Sequence, residues 1–114
     1  MAITQAYTGT ATIGTTEYSL VNNSTTLANS TDVGVYQVFI DLSNLASGDE
    51  YEIRIKEKVI STGTQRTIYL GVVDGAQGSP FVTPTLVLMH GWDVTLDKIL
   101  GTDRSISWSI RKVG

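Results

Sequence analysis

Hydrophobic and polar residues alternate along most of this chain with a period of two. The pattern is clearest in "YEIRIKEK" (residues 51–58), "WDVTL" (92–96) and "ISWSIRK" (106–112). The alternating apolar residues in these segments are Tyr51, Ile53 and Ile55, then Trp92, Val94 and Leu96, then Ile106, Trp108 and Ile110. Successive side chains of an extended strand point to opposite faces, so each segment has one apolar and one polar face. This is typical of strands in an antiparallel sheet that covers a core on one side only.

Three further segments carry apolar residues on both faces: "VYQVFIDL" (35–42), "TIYLGVV" (67–73) and "TLVLMH" (85–90). Such strands are central in a sheet or lie beneath other structure. In residues 67–73 we assign Ile68, Leu70 and Val72 to one face and Tyr69 and Val73 to a second face.

Turn residues separate these segments, and no run of ten residues has a helical pattern. Gly48, Gly63 and Gly101 each mark a turn, and two polar stretches, 22–32 and 74–84, are predicted to be loops. About eight short strands with turns at regular spacing predict an all-β fold, an antiparallel β-sandwich. We prefer a jelly roll to an immunoglobulin-like sandwich, and expect residues 1–114 to form a single domain.

Composition narrows the functional classes. The chain has no cysteine, so disulfides, thiolate metal sites and a cysteine nucleophile are excluded. A net charge of −3 does not favour nucleic acid as a partner. The first residues do not resemble a signal peptide, and no apolar stretch approaches the ~20 residues that span a bilayer, so we expect no membrane partner.

The segment "HGWDVTLDKILGTDRSISWSI" (90–110) contains the only histidine, both tryptophans and three aspartates. Strand parity places His90 and Asp93 on opposite faces, and no serine lies in a G-x-S-x-G elbow. One histidine is too few for a zinc site, and Asp97 and Asp103 lack the spacing of a calcium loop. We therefore predict no enzymatic activity, no metal and no cofactor.

We interpret the same segment as a β-hairpin whose two strands turn Trp92 and Trp108 toward one core. The carboxylate pairs Glu50 with Glu52 and Asp93 with Asp97 share strand faces by parity. We interpret them as solvated acidic residues, and expect Asp93 on the wet face to tolerate substitution.

The chain resembles small virion structural proteins of tailed bacteriophages over nearly its whole length. The resemblance lies in "TATIGTTEYSL", "VYQVFIDLSNLASGDEYEIRIKEKV" and "GWDVTLDKILGTDRSISWSIRKV". It implies a capsid decoration (cement) subunit that bridges major capsid proteins on the virion surface, after synthesis in the host cytoplasm. The alternative is a glycan- or receptor-binding module of the particle, and a small hydrolase that uses His90 ranks third.

Two surfaces are predicted to bind partners. Arg54, Lys56 and Lys58 form a cationic stripe that we expect to contact an acidic partner surface, although solvated charges that protect a sheet edge would show the same pattern. Apolar residues on second strand faces are predicted to mediate self-association. A trimer would match the three-fold positions of a capsid. The self-association residues are Phe39, Tyr69 and Met89, together with Val35, Val73 and Val87.

Overall fold

The computed structural model describes residues 2–114 as two antiparallel β-sheets packed face to face. No helix occurs within these residues, so none in this range is long and apolar enough to cross a membrane. The strands are β1 (Ile3–Ile13), β2 (Tyr18–Ser19), β3 (Gly34–Asp41), β4 (Glu50–Glu57), β5 (Arg66–Asp74), β6 (Phe81–Val82), β7 (Leu86–Leu88), β8 (Asp93–Leu100) and β9 (Arg104–Val113).

The strand order identifies the sandwich as a jelly roll. Sheet A has the order β1-β9-β3-β6, with β7 also paired to β3, and sheet B has the order β2-β8-β4-β5. The pairs are thus nested: β1 pairs with β9, β2 with β8, β3 with β7 and β4 with β5. This nested pairing is that of a long antiparallel ribbon rolled into two sheets, and it confirms the predicted fold class.

The core lies between the two sheets and is built by the alternation seen in the sequence. Strand β4 buries Tyr51, Ile53 and Ile55, while its intervening residues face outward. Both tryptophans are buried, as predicted, and Trp92 is fully enclosed. The remaining core residues are Ile13, Leu20, Tyr36, Val38, Ile40, Leu42, Leu45, Leu86, Leu88, Val94, Leu96, Ile106 and Ile110.

The predicted hairpin of residues 90–110 is wrong. Strand β8 pairs with β2 and β4 in sheet B, whereas β9 pairs with β1 and β3 in sheet A. Gly101, at φ +96°, turns the chain from one sheet to the other instead of back along the same sheet. The two strands therefore face each other across the core, which is why alternation alone placed both tryptophans correctly.

The structure also reverses the faces assigned to β5. Tyr69 and Val73 pack against the core, and Ile68, Leu70 and Val72 face solvent. Apolar residues on both sides of β5 left its orientation open in the sequence. The register fixes it, because Tyr69 lies opposite the buried Ile55.

Candidate functional site

A network of charges covers the outer face of sheet B. We call Glu17, Glu52, Arg54, Lys56 and Asp97 the charged network. Lys56 Nζ lies 2.7 Å from Glu17 Oε2, and Arg54 lies 3.5 Å from Asp97 Oδ1 and also contacts Glu52. The two cations are thus balanced by carboxylates of their own chain, brought together from β4, β8 and the segment before β2.

Burial acts to raise the pKa values of Glu17 and Asp97 in this network, and the neighbouring cations act to lower them. Burial raises the pKa of Asp97, and the nearby Arg54 offsets this only in part. Burial also tends to raise the pKa of Glu17, but hydrogen bonds from Lys56 and Thr95 outweigh it and leave that pKa lowered. Glu17 therefore stays ionised, and the network holds Arg54 and Lys56 against the sheet.

The three cations predicted to form one stripe therefore lie in two places, with Arg54 and Lys56 in the charged network and Lys58 apart from it. Lys58 follows the last residue of β4, and its backbone N–H donates to the His90 carbonyl at 2.9 Å. Its side chain lies over Gly91, away from the carboxylates that hold Arg54 and Lys56. Of the three predicted contact residues, Lys58 is the one placed at the end of the sandwich, beside the loop that leads into β8.

Lys58 lies in a groove that also contains Met89 and His90. The groove has a volume of about 340 Å³ and is open to solvent. Val33 and Met89 expose 54% and 47% of their surface along it. We call this groove, together with Val59 and Ile60 of the adjoining β4–β5 loop, the loop-end patch; its other lining residues are Asn29, Thr31, Ser61 and Gly91.

The loop-end patch is apolar as well as cationic. Val59 is 82% exposed and Ile60 is 61% exposed, although residues of these types usually lie inside a protein. Exposed apolar residues that cluster in this way mark contact surfaces more often than isolated ones do. Lys58 and Met89, predicted from sequence for two different roles, belong to this one surface.

The three residues predicted for self-association do not form a single patch. Phe39 lies on the outer face of sheet A beneath the guanidinium of Arg111, 3.8 Å from the ring centroid. Tyr69 packs toward the core, and Met89 lies in the loop-end patch. Of the apolar residues on β5, those that reach solvent are Ile68, Leu70 and Val72, which are 46%, 54% and 51% exposed. We call these three the β5 apolar row.

The β5 apolar row lies at an open sheet edge. Strand β5 is last in the order of sheet B, and within residues 2–114 its backbone pairs with β4 alone. One side of this nine-residue strand therefore presents unpaired backbone groups. Apolar residues on both faces of residues 67–73 predicted a strand that is central or covered by other structure, and for β5 this prediction is wrong, because the strand is at an edge and one of its apolar faces is exposed.

A shallow trough crosses the outer face of sheet A. It has a volume of about 260 Å³, and Phe39, Asp41, Pro80 and Arg111 contribute to its walls. Arg111 Nε donates to Ser109 Oγ at 3.3 Å while its guanidinium covers Phe39. The trough thus combines a cation, a carboxylate and hydroxyl groups with small apolar surfaces.

The structure does not bring His90 and Asp93 together. Asp93 is fully buried, and its carboxylate accepts hydrogen bonds from Ser19 Oγ at 2.7 Å and from the Ala28 and Val94 amides at 2.9 and 2.8 Å. The expectation that Asp93 lies on a wet face is therefore wrong. It points to the outer side of sheet B, as its parity predicts, but the loop around Ala28 covers it.

His90 is held instead through its backbone amide, which donates to Glu57 Oε2 at 2.9 Å. Within residues 2–114, no three histidine, aspartate or glutamate side chains are grouped so that they could hold a metal ion.

Comparison with known proteins leaves the chain without a family assignment. No protein-family model matches it, and no curated protein or solved structure does so either.

Proposed function

We propose that this protein is a non-enzymatic structural subunit of a tailed-phage virion, a decoration (cement) protein that binds the outside of the capsid. The observation that carries the proposal is the loop-end patch. There, Met89 lines the same groove as the cation Lys58, and the exposed residues Val59 and Ile60 follow Lys58 in the chain, at one end of the sandwich. The resemblance of three long segments to small phage virion proteins supports it.

The mechanism is binding alone. A subunit that binds the assembled capsid but not its separated proteins stabilises the assembled state by mass action, to an extent set by its concentration and affinity. In this proposal the loop-end patch contacts the major capsid protein, with apolar side chains at the centre of the contact and Lys58 facing an acidic residue. The subunit is made in the host cytoplasm and remains on the capsid surface.

Capsids of the same phage that lack this protein provide the test. Met89→Asp and Ile60→Asp should each weaken binding at least tenfold, because each change places a charge in the apolar contact. Leu100→Asp is the matched control, since Leu100 is 60% exposed but lies at the opposite end of β8. Lys58→Gln should reduce the salt dependence of binding. Equal losses in all three aspartate variants, or no binding by the unaltered protein, would contradict the proposal.

A second candidate, a glycan- or receptor-binding module of the particle, is favoured by the trough on sheet A. A guanidinium next to serine hydroxyls and a carboxylate offers the donors and acceptors that sugar hydroxyls require. Cryo-electron microscopy of intact particles separates the two functions. Hundreds of copies over the head support the decoration subunit, and a few copies at the tail support the receptor module. Loss of glycan binding in Arg111→Ala would support the module independently.

A further inference from the structure

We propose that the trough on sheet A binds a uronic acid, a sugar that carries a carboxylate, with this carboxylate on Arg111 and the sugar hydroxyls on Asp41 and the serines of β9. The inference rests on the second candidate function, for which it names the class of ligand, and not on the decoration role. The trough shares no lining residue with the loop-end patch. Two of its features support the proposal: a guanidinium that is held in place without a counter-charge, and a row of hydroxyl groups beside it.

The guanidinium of Arg111 is oriented by its neighbours but has no charged partner. Its Cζ lies 3.8 Å from the centroid of the Phe39 ring, and its Nε donates to Ser109 Oγ at 3.3 Å. Arg111 forms no ion pair within residues 2–114. Stacking on an aromatic ring restrains this long side chain, so less conformational entropy is lost when its two terminal nitrogens bind a ligand. The planar fork of these nitrogens matches the two oxygens of a carboxylate.

Asp41 supplies a hydrogen-bond acceptor farther along the same trough. In the register of β3 with β9, Phe39 lies opposite Ser109 and Asp41 lies opposite Ser107. The guanidinium of Arg111 covers Phe39, and Asp41 is two residues beyond it, ~7 Å by strand rise. A uronic acid carries its carboxylate on one side of the ring and hydroxyl donors on the other, so it can reach both groups at once. A simple anion would bind Arg111 alone and would be repelled by Asp41.

The surface next to the trough consists of hydroxyl groups. Outward residues of β1 and β9 meet there in three cross-strand pairs, and in one of them Thr10 Oγ1 lies 2.8 Å from Ser107 Oγ. The pairs are Thr8 with Ser109, Thr10 with Ser107, and Thr12 with Ser105. A hydroxyl group both donates and accepts, as the hydroxyls of a saccharide do, whereas the centre of a protein contact is richer in aromatic and apolar residues. A longer saccharide can therefore continue from the trough across β9 toward β1.

Titration with small ligands, followed through the backbone amide NMR signals of β3 and β9, tests the class of ligand. Glucuronate and glucose differ only at C6, which carries the carboxylate, and acetate supplies a carboxylate without the ring. Glucuronate should shift the signals of Ser107, Ser109 and Arg111 with a Kd of about 1 mM, since a monosaccharide has few atoms with which to bind. Glucose and acetate should each bind at least tenfold more weakly.

Two pairs of variants locate the site. Arg111→Gln should weaken glucuronate binding at least tenfold, to the level of glucose, because it removes the group that recognises the carboxylate. Arg66→Gln is the matched control, since Arg66 is also exposed and without an ion pair within residues 2–114 but lies on sheet B. Ser107→Ala should weaken glucuronate binding about threefold by removing one hydrogen bond. Ser105→Ala should not, because Ser105 lies on the same face of β9 outside the trough.

The outcomes separate this inference from the two functions. Equal binding of glucose and glucuronate, or equal losses in Arg111→Gln and Arg66→Gln, overturns the inference and leaves a glycan-binding function in place. Acetate binding as tight as that of glucuronate shows a site for anions only and also overturns it. If neither sugar binds at about 50 mM, the glycan-binding function of the trough is contradicted as well. The decoration role is unaffected in every case, because its test uses capsids and variants of the loop-end patch.

Discussion

Arg104 Nε donates a hydrogen bond to Asp49 Oδ2 at 2.7 Å, and this pair joins the β3–β4 loop to the first residue of β9, which is far from it in the sequence. The same carboxylate accepts from the backbone amides of Ala46 and Thr102, both at 2.9 Å. Asp49 therefore connects the β3–β4 loop to the turn that carries the chain from sheet B to sheet A. Its side chain is almost entirely buried, so these partners replace the water it loses.

Asp49→Asn should destabilise the protein at neutral pH and much less in acid. The backbone amides of Thr102 and Ala46 and the side chain of Arg104 lower the pKa of Asp49 from 3.8 to about 2. A carboxyl whose pKa is lower in the folded state stabilises that state above its ordinary pKa and loses this effect as pH falls toward 2. Urea denaturation from pH 7 down to pH 2 should show the difference between the two proteins shrinking below about pH 4.

Asp103→Asn is the control for this series. Asp103 lies in the same turn, but its side chain is 55% exposed and its one ion pair within residues 2–114 is with Lys98. Exposed ion pairs contribute about 0–1 kcal/mol, so this variant should remain close to the unaltered protein. A constant effect of Asp49→Asn from pH 7 to pH 2 would show that the carboxylate charge is not what joins the loops.

Gly101→Ala should lower the free energy of unfolding by more than the left-handed backbone of this residue alone would account for. Gly101 has φ +96°, and a Cβ there would lie 2.7 Å from Asp49 Cα and 2.8 Å from the Gly48 carbonyl oxygen. Gly48→Ala is a matched control, because Gly48 has φ +91° with no atom within 4 Å of an added Cβ. The control should cost about 1–2 kcal/mol from the left-handed backbone. Gly101→Ala should cost a further ~1–3 kcal/mol from overpacking, measured by chemical denaturation; equal costs for the two variants would mean that the turn shifts freely.

The sequence predicted an antiparallel β-sandwich and most of the core because both depend on alternation, a local property, whereas the strand order that makes the sandwich a jelly roll is not contained in that alternation. Tyr51, Ile53 and Ile55 could be assigned to one face from eight residues of sequence. The pairing of β8 and β9 could not be predicted in this way. A turn at Gly101 that stays within one sheet and one that crosses to the other have the same local composition, and only the partners contributed by β1–β4 distinguish them.

The surfaces were harder to predict than the core, for a related reason. Parity placed Asp93 on the outer side of its strand, but the covering loop around Ala28 is distant in sequence and has no periodic pattern. Likewise, the orientation of Leu70 depends on its register with β4, and the pairing of Arg54 depends on Glu17. Each of these features is set by a contact between segments at least 15 residues apart, which alternation within one segment does not encode.

Replacing either tryptophan by alanine should cost about 3–5 kcal/mol, the range for truncating a large buried aromatic residue. Trp92 packs against Tyr36 at a centroid distance of 4.7 Å, and its Nε1 donates to the Asp32 carbonyl at 3.0 Å. Trp108 Nε1 donates to the Leu20 carbonyl at 2.9 Å. Ser107→Ala, on the outer face of β9, should stay within about 0.5 kcal/mol. Each tryptophan-to-alanine variant retains the other tryptophan, whose fluorescence reports denaturation. A loss of less than 1 kcal/mol in the free energy of unfolding would mean that the core closes over the gap.

Asp93→Asn should destabilise the protein by about 1–3 kcal/mol, because one carboxylate oxygen would be replaced by an NH₂ group, which donates hydrogen bonds. That group would face either the Ala28 amide or the Ser19 hydroxyl and Val94 amide, all of which now donate to Asp93.

The pH dependence of the destabilisation by Asp93→Asn should be opposite to that of Asp49→Asn. Burial raises the pKa of Asp93, although hydrogen bonds from Ala28 and Ser19 oppose the shift. A raised pKa in the folded state contributes stability below the ordinary value that is lost as pH rises through the folded value. The difference between Asp93→Asn and the unaltered protein should therefore be larger at pH 3 than at pH 7. Hydrogen exchange should show faster exchange confined to the loop around Ala28, and an effect spread evenly over both sheets would mean that Asp93 supports the core instead of this loop.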